Sequence, residues 1–328
     1  MKHYNIPVFV PHYGCPFSCV FCNQKEITGQ NSATDLDNAE KTINEHLSTI
    51  NSDDVEIAFF GGSFTAIPRE IMVSYLKLGH SFIKKGKVKG IRISTRPDFI
   101  DTEILLLLKK YGVTTIELGA QSFDDEVLKK SGRGHTSLDT ENSSRLIKLR
   151  GFSLGLQLMT GLCGDTEEKS VMSAKKACDL YPDCVRIYPT LVIKNTKLHD
   201  MYISGKYIPQ SLEDAVNTVG RMLNIFYDKN INVIRVGLAS VSDMNTRGTI
   251  VAGPDHPSIR ELCEGRAYLQ KLTGYISDNP CRTLIVYAPQ SEFSKISGHK
   301  KCNKNHLKSA YNTNLLLKKS DKFYITSE

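Results

Sequence analysis

Short β-branched or apolar runs alternate with longer amphipathic stretches along most of this chain, and that alternation limits its fold more than any other feature. The strand candidates are Ile6–Val10, Val55–Phe60, Gly90–Ser94, Thr115–Gly119, Gly155–Thr160, Cys184–Tyr188 and Asn232–Val236. Between them, Leu36–Ile50, Pro68–Lys84, Asp101–Lys110, Ser137–Leu149, Glu167–Leu180 and Ser211–Tyr227 carry apolar residues at helical spacing. Pro68 suits a helix start, and Thr166 before Glu167 reads as an N-cap. Repeated strand–helix units predict a parallel sheet with helices outside it. Six or seven such units point to an α/β fold, a partial (β/α)6-type TIM barrel. Polar residues collect just after the strands, where βα-loops build active sites.

The rhythm breaks after about Gly237. A loop rich in Gly, Asp and Pro leads into a helix predicted at Ser258–Leu272, with strands near Thr283–Ala288 and Lys322–Thr326. The division expected is residues 1–240 for the barrel and 241–328 for a small, basic α+β extension closing or flanking it. With 328 residues, 40% hydrophobic and 23% charged, the chain can bury a large core and a small appendage. No apolar run approaches the roughly 20 residues of a membrane span. The first residues lack the apolar core of a signal peptide. A cytoplasmic location with no membrane partner is the expectation.

Charge is distributed unevenly. After Cys281 there are nine basic residues and three acidic ones, so six of the seven net positive charges fall in that segment. Lys295, Lys300, Lys301, Lys304 and Lys308 lie close together, and the last four fit one helical face. A basic end on a near-neutral body suggests a polyanionic partner, nucleic acid first, or else a solvated lysine-rich surface.

Nine cysteines is an odd number, and their spacing is unlike a secreted disulfide framework. Cys15, Cys19 and Cys22 crowd into one loop as C-x3-C-x2-C. Three thiolates so spaced can reach three corners of a cubane, leaving the fourth iron open to a substrate or cofactor. A closed Cys3His zinc site with His12 is the alternative, and it would reduce the loop to a staple. One strand later, Phe59-Phe60-Gly61-Gly62-Ser63-Phe64-Thr65 offers paired glycines that let a ligand approach the backbone.

With an aromatic, Phe21, before the last cysteine, the loop resembles that of the radical S-adenosylmethionine (SAM) superfamily. The resemblance implies a [4Fe–4S] cluster on Cys15, Cys19 and Cys22, with S-adenosyl-L-methionine chelating the open iron. It implies reductive cleavage of SAM to a 5′-deoxyadenosyl radical, the hard chemistry belonging to the cofactor. Gly61, Gly62 and Ser63 would then hold the methionyl amine. Ser94 and Gln157 would face the ribose or adenosine, and Gln121 and Arg133 the polar methionine end. Cys163 stands where that pattern has proline.

A finer resemblance is to the radical SAM domain of the Elongator catalytic subunit and its short bacterial relatives. It is carried by Thr95-Arg96-Pro97-Asp98, Glu117-Leu118-Gly119-Ala120-Gln121-Ser122, Arg133-Gly134-His135-Thr136 and Tyr188-Pro189-Thr190-Leu191-Val192-Ile193-Lys194, in that order. The likeness spans roughly residues 5 to 270. It implies radical modification of wobble uridine in tRNA with a carboxymethyl-type group from acetyl-CoA. An electron donor such as a flavodoxin or ferredoxin is implied as well. Arg96, Tyr188 and Lys194 are candidate substrate contacts, with Lys300, Lys301 and Lys304 as candidate RNA contacts. Too few residues follow Leu272 for the acetyltransferase domain of that subunit, and the cluster cysteines are more tightly spaced. Two other readings stay open: a radical SAM enzyme acting on a small molecule or polypeptide, and a zinc-stapled, non-catalytic RNA-binding module. The remaining cysteines read as core or surface thiols, His135 as a loop hydrogen bonder, and His299, Cys302 and His306 as a poor metal set among lysines.

Overall fold

A computed structural model describes residues 3–10, 15, 19–23, 35–238 and 248–328. Its strands are β1 (Tyr4–Phe9), β2 (Val55–Phe60), β3 (Gly90–Thr95), β4 (Val113–Gln121), β5 (Ser153–Thr160), β6 (Cys184–Pro189), β7 (Val192–Ile193), β8 (Asn232–Val236), β9 (Ile250–Ala252), β10 (Thr283–Ala288), β11 (Asn314–Lys319) and β12 (Tyr324–Ser327). The main sheet runs in the order β1-β2-β3-β4-β5-β6-β8, and every pairing in it is parallel. Sequential order with a helix in each crossover is the outcome expected of right-handed βαβ units. The result is a curled seven-stranded partial barrel, so all seven predicted strands form.

Period-two alternation explains how these strands serve two layers. Ile57, Phe59, Ile91, Ile93, Ile116, Leu118, Leu154, Leu156, Leu158, Val185 and Ile187 are buried in the main core, which the helices cover. The residues between them, among them Glu56, Arg92, Glu117, Gln157 and Arg186, hydrogen-bond to one another across the concave face. Helix starts follow local chemistry. Asp35 and Asp101 accept from the backbone N–H three residues on, and Thr136 and Asp139 form a reciprocal capping box. Thr166 caps its helix as read from the sequence.

The helix Leu212–Asp228 buries Ala215, Val219, Met222 and Phe226 at helical spacing. It lies so close to the helix Ile259–Asp278 that a Cβ on Gly220 would come within 3.2 Å of the Ala267 backbone nitrogen. That second helix serves two cores. Cys263 and Ala267 belong to the barrel core, and Leu272 and Ile276 belong to a smaller one with Leu284, Val286, Ala288, Ile296, Leu307 and Leu315.

The extension differs from the sequence reading. Its first helix runs on to Asp278, past Leu272. The helix Cys302–Tyr311, of which the sequence suggested only a helical face of lysines, and the strand β11, which it did not suggest, complete the extension. Polar, asparagine-rich CNKNHLKSAY has little helical signal of its own, and NLLLKK is too short to show period two. The three-stranded sheet has the order β11-β10-β12, parallel then antiparallel. Among the described residues no helix is long and apolar enough to cross a membrane.

Phe226 is fully buried between the barrel and its outer helices. Phe226→Ala is expected to cost about 3–5 kcal/mol through lost transfer energy and a cavity. Leu149→Ala, at a position 81% exposed, should stay within about 0.5 kcal/mol. Urea denaturation midpoints of the two variants check this, and equal losses would contradict the core assignment.

Candidate functional site

The cysteine loop is fastened at the carboxyl ends of the first strands. Val20 donates its N–H to the Ser131 carbonyl at 3.0 Å, and Leu198 donates to the Val20 carbonyl at 2.7 Å. Asn23 donates from its side chain to the Asn195 carbonyl at 3.0 Å. Residues 19–23 are thus bridged between the loop after β4 and the helix Lys197–Ile203. Phe21 is half-buried and packs with Val20 against an apolar cluster of Cys163, Val192, Leu198 and Tyr207.

Cys19 is 8% exposed. Arg133 donates to its Sγ from Nη1 at 3.2 Å and to the Gly119 carbonyl from Nη2 at 2.6 Å. Arg133 is itself braced: Arg96 donates to its carbonyl and forms a bidentate pair with Asp98, both bonds 2.9 Å. Cys15 lies in the same neighbourhood. Burial and the neighbouring Cys19 push its thiol pKa up, while Arg96, Arg133 and a hydrogen bond from the Ser63 backbone act the other way. Around these thiols stand three buried polar atoms that find no partner among the described residues, Gln121 Oε1, Arg133 Nε and His135 Nδ1. Gln121 holds a left-handed backbone, φ 66°.

This donor set fits an iron–sulfur cluster. Soft thiolates are the ligands such a cluster takes, and guanidinium and N–H donors beside them hold thiolate charge. Cys22 is tied to Cys19 through its backbone N–H at 3.1 Å. Among the described residues, Cys15, Cys19 and Cys22 included, no three His, Cys, Asp or Glu side chains are gathered as a metal site. His12, the alternative fourth ligand, lies outside the described residues. None of the nine cysteines is in a disulfide.

The other predicted cofactor positions divide. Gly61 has φ 107°, and a side chain there would meet the Val10 carbonyl oxygen at 2.8 Å, so the turn itself requires glycine. The Ser63 hydroxyl is 2.8 Å from that of Thr95 and accepts from the Arg96 N–H, tying β2 to β3, while its backbone faces Cys15. Ser94 and Gln157 come together from strands β3 and β5, Gln157 donating to Ser94 Oγ at 3.1 Å. His135 donates from Nε2 to the Ala120 carbonyl at 3.2 Å, as a loop hydrogen bonder should. Burial and the charges of Arg133 and Arg96 push its pKa down to about 4, so it is neutral near pH 7.

Sequence reasoning missed the carboxylate at the centre. Glu117 is 1% exposed and accepts two bonds from Arg186, at 2.7 and 2.9 Å, one from Arg92 at 2.9 Å and one from Gln157 at 2.9 Å. Arg92 also pairs with Glu56 at 2.9 Å. Burial alone would raise the Glu117 pKa, but Arg186, then Arg92, outweigh it and hold the carboxyl below the ordinary glutamate value of 4.5. The signal was a lone charge inside each apolar strand, at Glu56, Arg92, Glu117 and Arg186.

The candidate substrate residues are scattered. Tyr188 is half-buried on the concave side beside Arg186 and Arg235. Arg96 is buried in the bracing just described. Lys194 is exposed beyond the short β7. The lysines do not share one helical face. Lys300 and Lys301 have left-handed backbones, φ 50° and 62°, and the helix begins only at Cys302, so Lys304 and Lys308 alone lie one turn apart on it. Lys295 stands apart as well, paired with Glu264 and Glu292 at 3.2 Å each. His299 sits 3.7 Å from Glu261. Cys163, Cys178, Cys184 and Cys263 are buried core thiols.

The model of the radical SAM superfamily matches residues 9–177, and that of the radical SAM C-terminal domain residues 182–271. The tRNA uridine(34) acetyltransferase of Methanocaldococcus infernus is 30% identical over 188 residues, 51% of this chain and 35% of that protein. Elongator complex protein 3 of Homo sapiens is 32% identical over 193 residues, 52% of this chain and 35% of that protein. The chain thus spans about a third of the length of these curated relatives. Among solved structures, the archaeal Methanocaldococcus infernus Elp3 with an N-terminal deletion superposes with a TM-score of 0.64 at 22% identity, over 85% of this chain and 65% of that one. Streptococcus suis SuiB bound to S-adenosylmethionine gives 0.53 at 15% identity, over 70% and 50%. At such identities the likeness shows a shared fold.

Removing the Glu117 carboxylate strands Arg186 and Arg92 in a buried face, so Glu117→Ala is expected to cost about 3–5 kcal/mol. Because the folded-state pKa lies below 4.5, the unfolded chain binds the proton more readily. The stabilisation is complete above that pH and is lost as pH falls through the depressed value. The stability gap between wild type and Glu117→Gln should therefore be constant from neutral pH down to about 5 and shrink below it. Chemical denaturation across that range measures it, and a gap that grows on acidification would contradict the pairing.

Proposed function

We propose, on the premise that this chain belongs to the radical SAM superfamily, that it is an enzyme that uses a [4Fe–4S] cluster and SAM to modify tRNA at a wobble uridine. The observation that carries the cofactor reading is the meeting of Cys15 and Cys19 beside Arg96, Arg133 and the Ser63 backbone at the strand ends. Cys15, Cys19 and Cys22 would hold the cluster. When bound, the cluster supplies the electron that cleaves SAM and starts radical chemistry. Arg133, fixed by Arg96 and Gly119, keeps a positive charge against the Cys19 sulfur. The unpartnered oxygen of Gln121 and Nε of Arg133 would take the polar end of SAM, since buried polar atoms left unpaired are costly. The Ser94–Gln157 pair would meet the ribose or adenosine, with Phe21, Gly61 and Gly62 lining the same mouth.

The tRNA reading is supported by relatives that match 39% to 51% of this chain and whose names specify uridine(34) of tRNA. The six net positive charges after Cys281 support it independently. An external reductant of the flavodoxin or ferredoxin kind would supply the electron. Anaerobic reconstitution with SAM and total tRNA, followed by nucleoside mass spectrometry, tests the whole reading. A new modified uridine is the expected result, and SAM cleavage with no altered nucleoside would favour a small-molecule or polypeptide substrate.

Two variants separate the parts. Cys19→Ala should remove the bound iron, its brown colour and SAM cleavage, while the melting temperature of the apoprotein changes little. Stoichiometric zinc without iron in reconstituted wild type would establish the zinc-stapled reading instead. Replacing Lys300, Lys301 and Lys304 with Glu should weaken tRNA binding and flatten its salt slope by about one unit for each phosphate left without its lysine. SAM cleavage without tRNA should persist in that variant. Filter binding over a salt series measures this, and a wild type without salt-sensitive affinity would remove tRNA from the reading.

A further inference from the structure

The small sheet of the extension has two unlike faces. On one, Leu284, Val286, Ala288 and Leu315 are buried against Leu272, Ile276, Ile296 and Leu307. The other carries the alternate residues of the same strands. Tyr287 on β10 is opposite Lys318 on β11 and Tyr324 on β12, and Ile285 is opposite Leu316 and Thr326. The rings of Tyr287 and Tyr324 stack with centroids 4.4 Å apart and planes 7° from parallel. The Lys318 ammonium lies 5.6 Å from the centre of the Tyr287 ring. Tyr324 is 45% exposed and Leu316 46%.

Exposed aromatic and apolar side chains on a sheet are costly, and here Tyr324 and Leu316 stand beside the ammonium of Lys318. Lys318 is exposed beside the tyrosines, and Lys319 and Lys322 are exposed at the end of β11 and in the turn after it. Asp321 and Glu328 are the carboxylates nearby, one in the turn between β11 and β12 and one at the chain end after β12. Flat π-faces bordered by ammonium groups on an open sheet match the chemistry of unpaired bases on a phosphate backbone. Bases stack on the rings without regard to sequence, and the lysines take the phosphates. A paired helix hides its base faces and offers only phosphate and groove to such a surface.

We infer that the outer face of the β10–β12 sheet is a docking surface for single-stranded RNA, with the exposed Tyr324 ring, backed by Tyr287, as the stacking platform and Lys318 as the adjoining phosphate contact. The inference rests on the RNA reading above and deepens it. Unpaired nucleotides of the substrate would seat on this sheet, while the lysines at 300, 301 and 304 contact phosphates without regard to strandedness.

The chain contains no tryptophan, so Tyr324→Trp introduces a lone reporter on this face with stacking preserved. Titrating that full-length variant with a short oligouridylate should quench its fluorescence, and an equally long RNA duplex should quench it far less. Tyr324→Ala should bind the oligouridylate about tenfold more weakly, with Tyr324→Phe near wild type and all three melting alike. If oligouridylate leaves the reporter unquenched and Tyr324→Ala binds it as wild type does, while whole tRNA still binds, the sheet is not the surface and the RNA reading survives. If wild type binds neither tRNA nor oligouridylate, the RNA reading fails and this inference with it. If Tyr324→Ala instead dissociates a dimer in sedimentation and keeps full RNA affinity, the face is a contact between copies of the chain, and the inference is overturned.

Discussion

A buried carboxylate shared by two arginines holds the concave side of the barrel together. Glu117 sits on the central strand β4 and accepts from Arg92 on β3, Arg186 on β6 and Gln157 on β5. Arg92 carries the chain of charges on to Glu56 on β2. Each of these ions would be prohibitive alone in such surroundings, and together they leave almost no polar valence unmet. The sheet is therefore polar on its inner side and apolar on its outer side. That division gives a half-barrel a polar, internally paired concave side while its other face is sealed by helices.

The candidate cofactor mouth depends on the same strands. Strand β3 carries Arg92 inward and then Arg96 into the loop beyond it, and β4 carries Glu117 inward and then Gln121 and the turn to Arg133. Register fixed in the barrel thus fixes where the guanidinium of Arg133 stands when it reaches Cys19. A long arginine on a loop would normally be a mobile charge. Here Arg96, itself paired with Asp98, donates to the Arg133 backbone carbonyl, and the Gly119 carbonyl accepts from the Arg133 guanidinium, so the sulfur next to it feels a fixed positive field. Burial works against thiolate formation at Cys15, and the fixed charges offset part of that cost.

The extension is joined to the barrel by one continuous helix, Ile259–Asp278, buried in the barrel core through one half and in the small core through the other. A shared helix transmits position far better than a linker would. Whatever the basic segment holds is accordingly held at a defined orientation to the barrel. Tethering a large substrate at a surface separate from the reacting centre supplies binding energy and orientation without crowding that centre.

By itself, the sequence determined the barrel strands and the cysteine spacing. Period-two and helical patterns repeat over a few residues and need no knowledge of the rest of the chain, which is why all seven barrel strands were legible. The C-x3-C-x2-C loop is equally local. The partners of Glu117 were not legible, because they lie 25, 40 and 69 residues away along the chain and only strand register brings them together. Lysines showed the same limit. Their number and crowding could be read directly, but Lys295 is neutralised by Glu264 from a distant part of the chain, and Lys300 and Lys301 leave the helix through left-handed backbone. Tyr287 and Tyr324 read as ordinary strand residues until β12 folded back antiparallel on β10 and stacked them. Backbone preference and side-chain periodicity act between near neighbours, whereas charge pairing and shared faces act through space, so only the tertiary structure decided them.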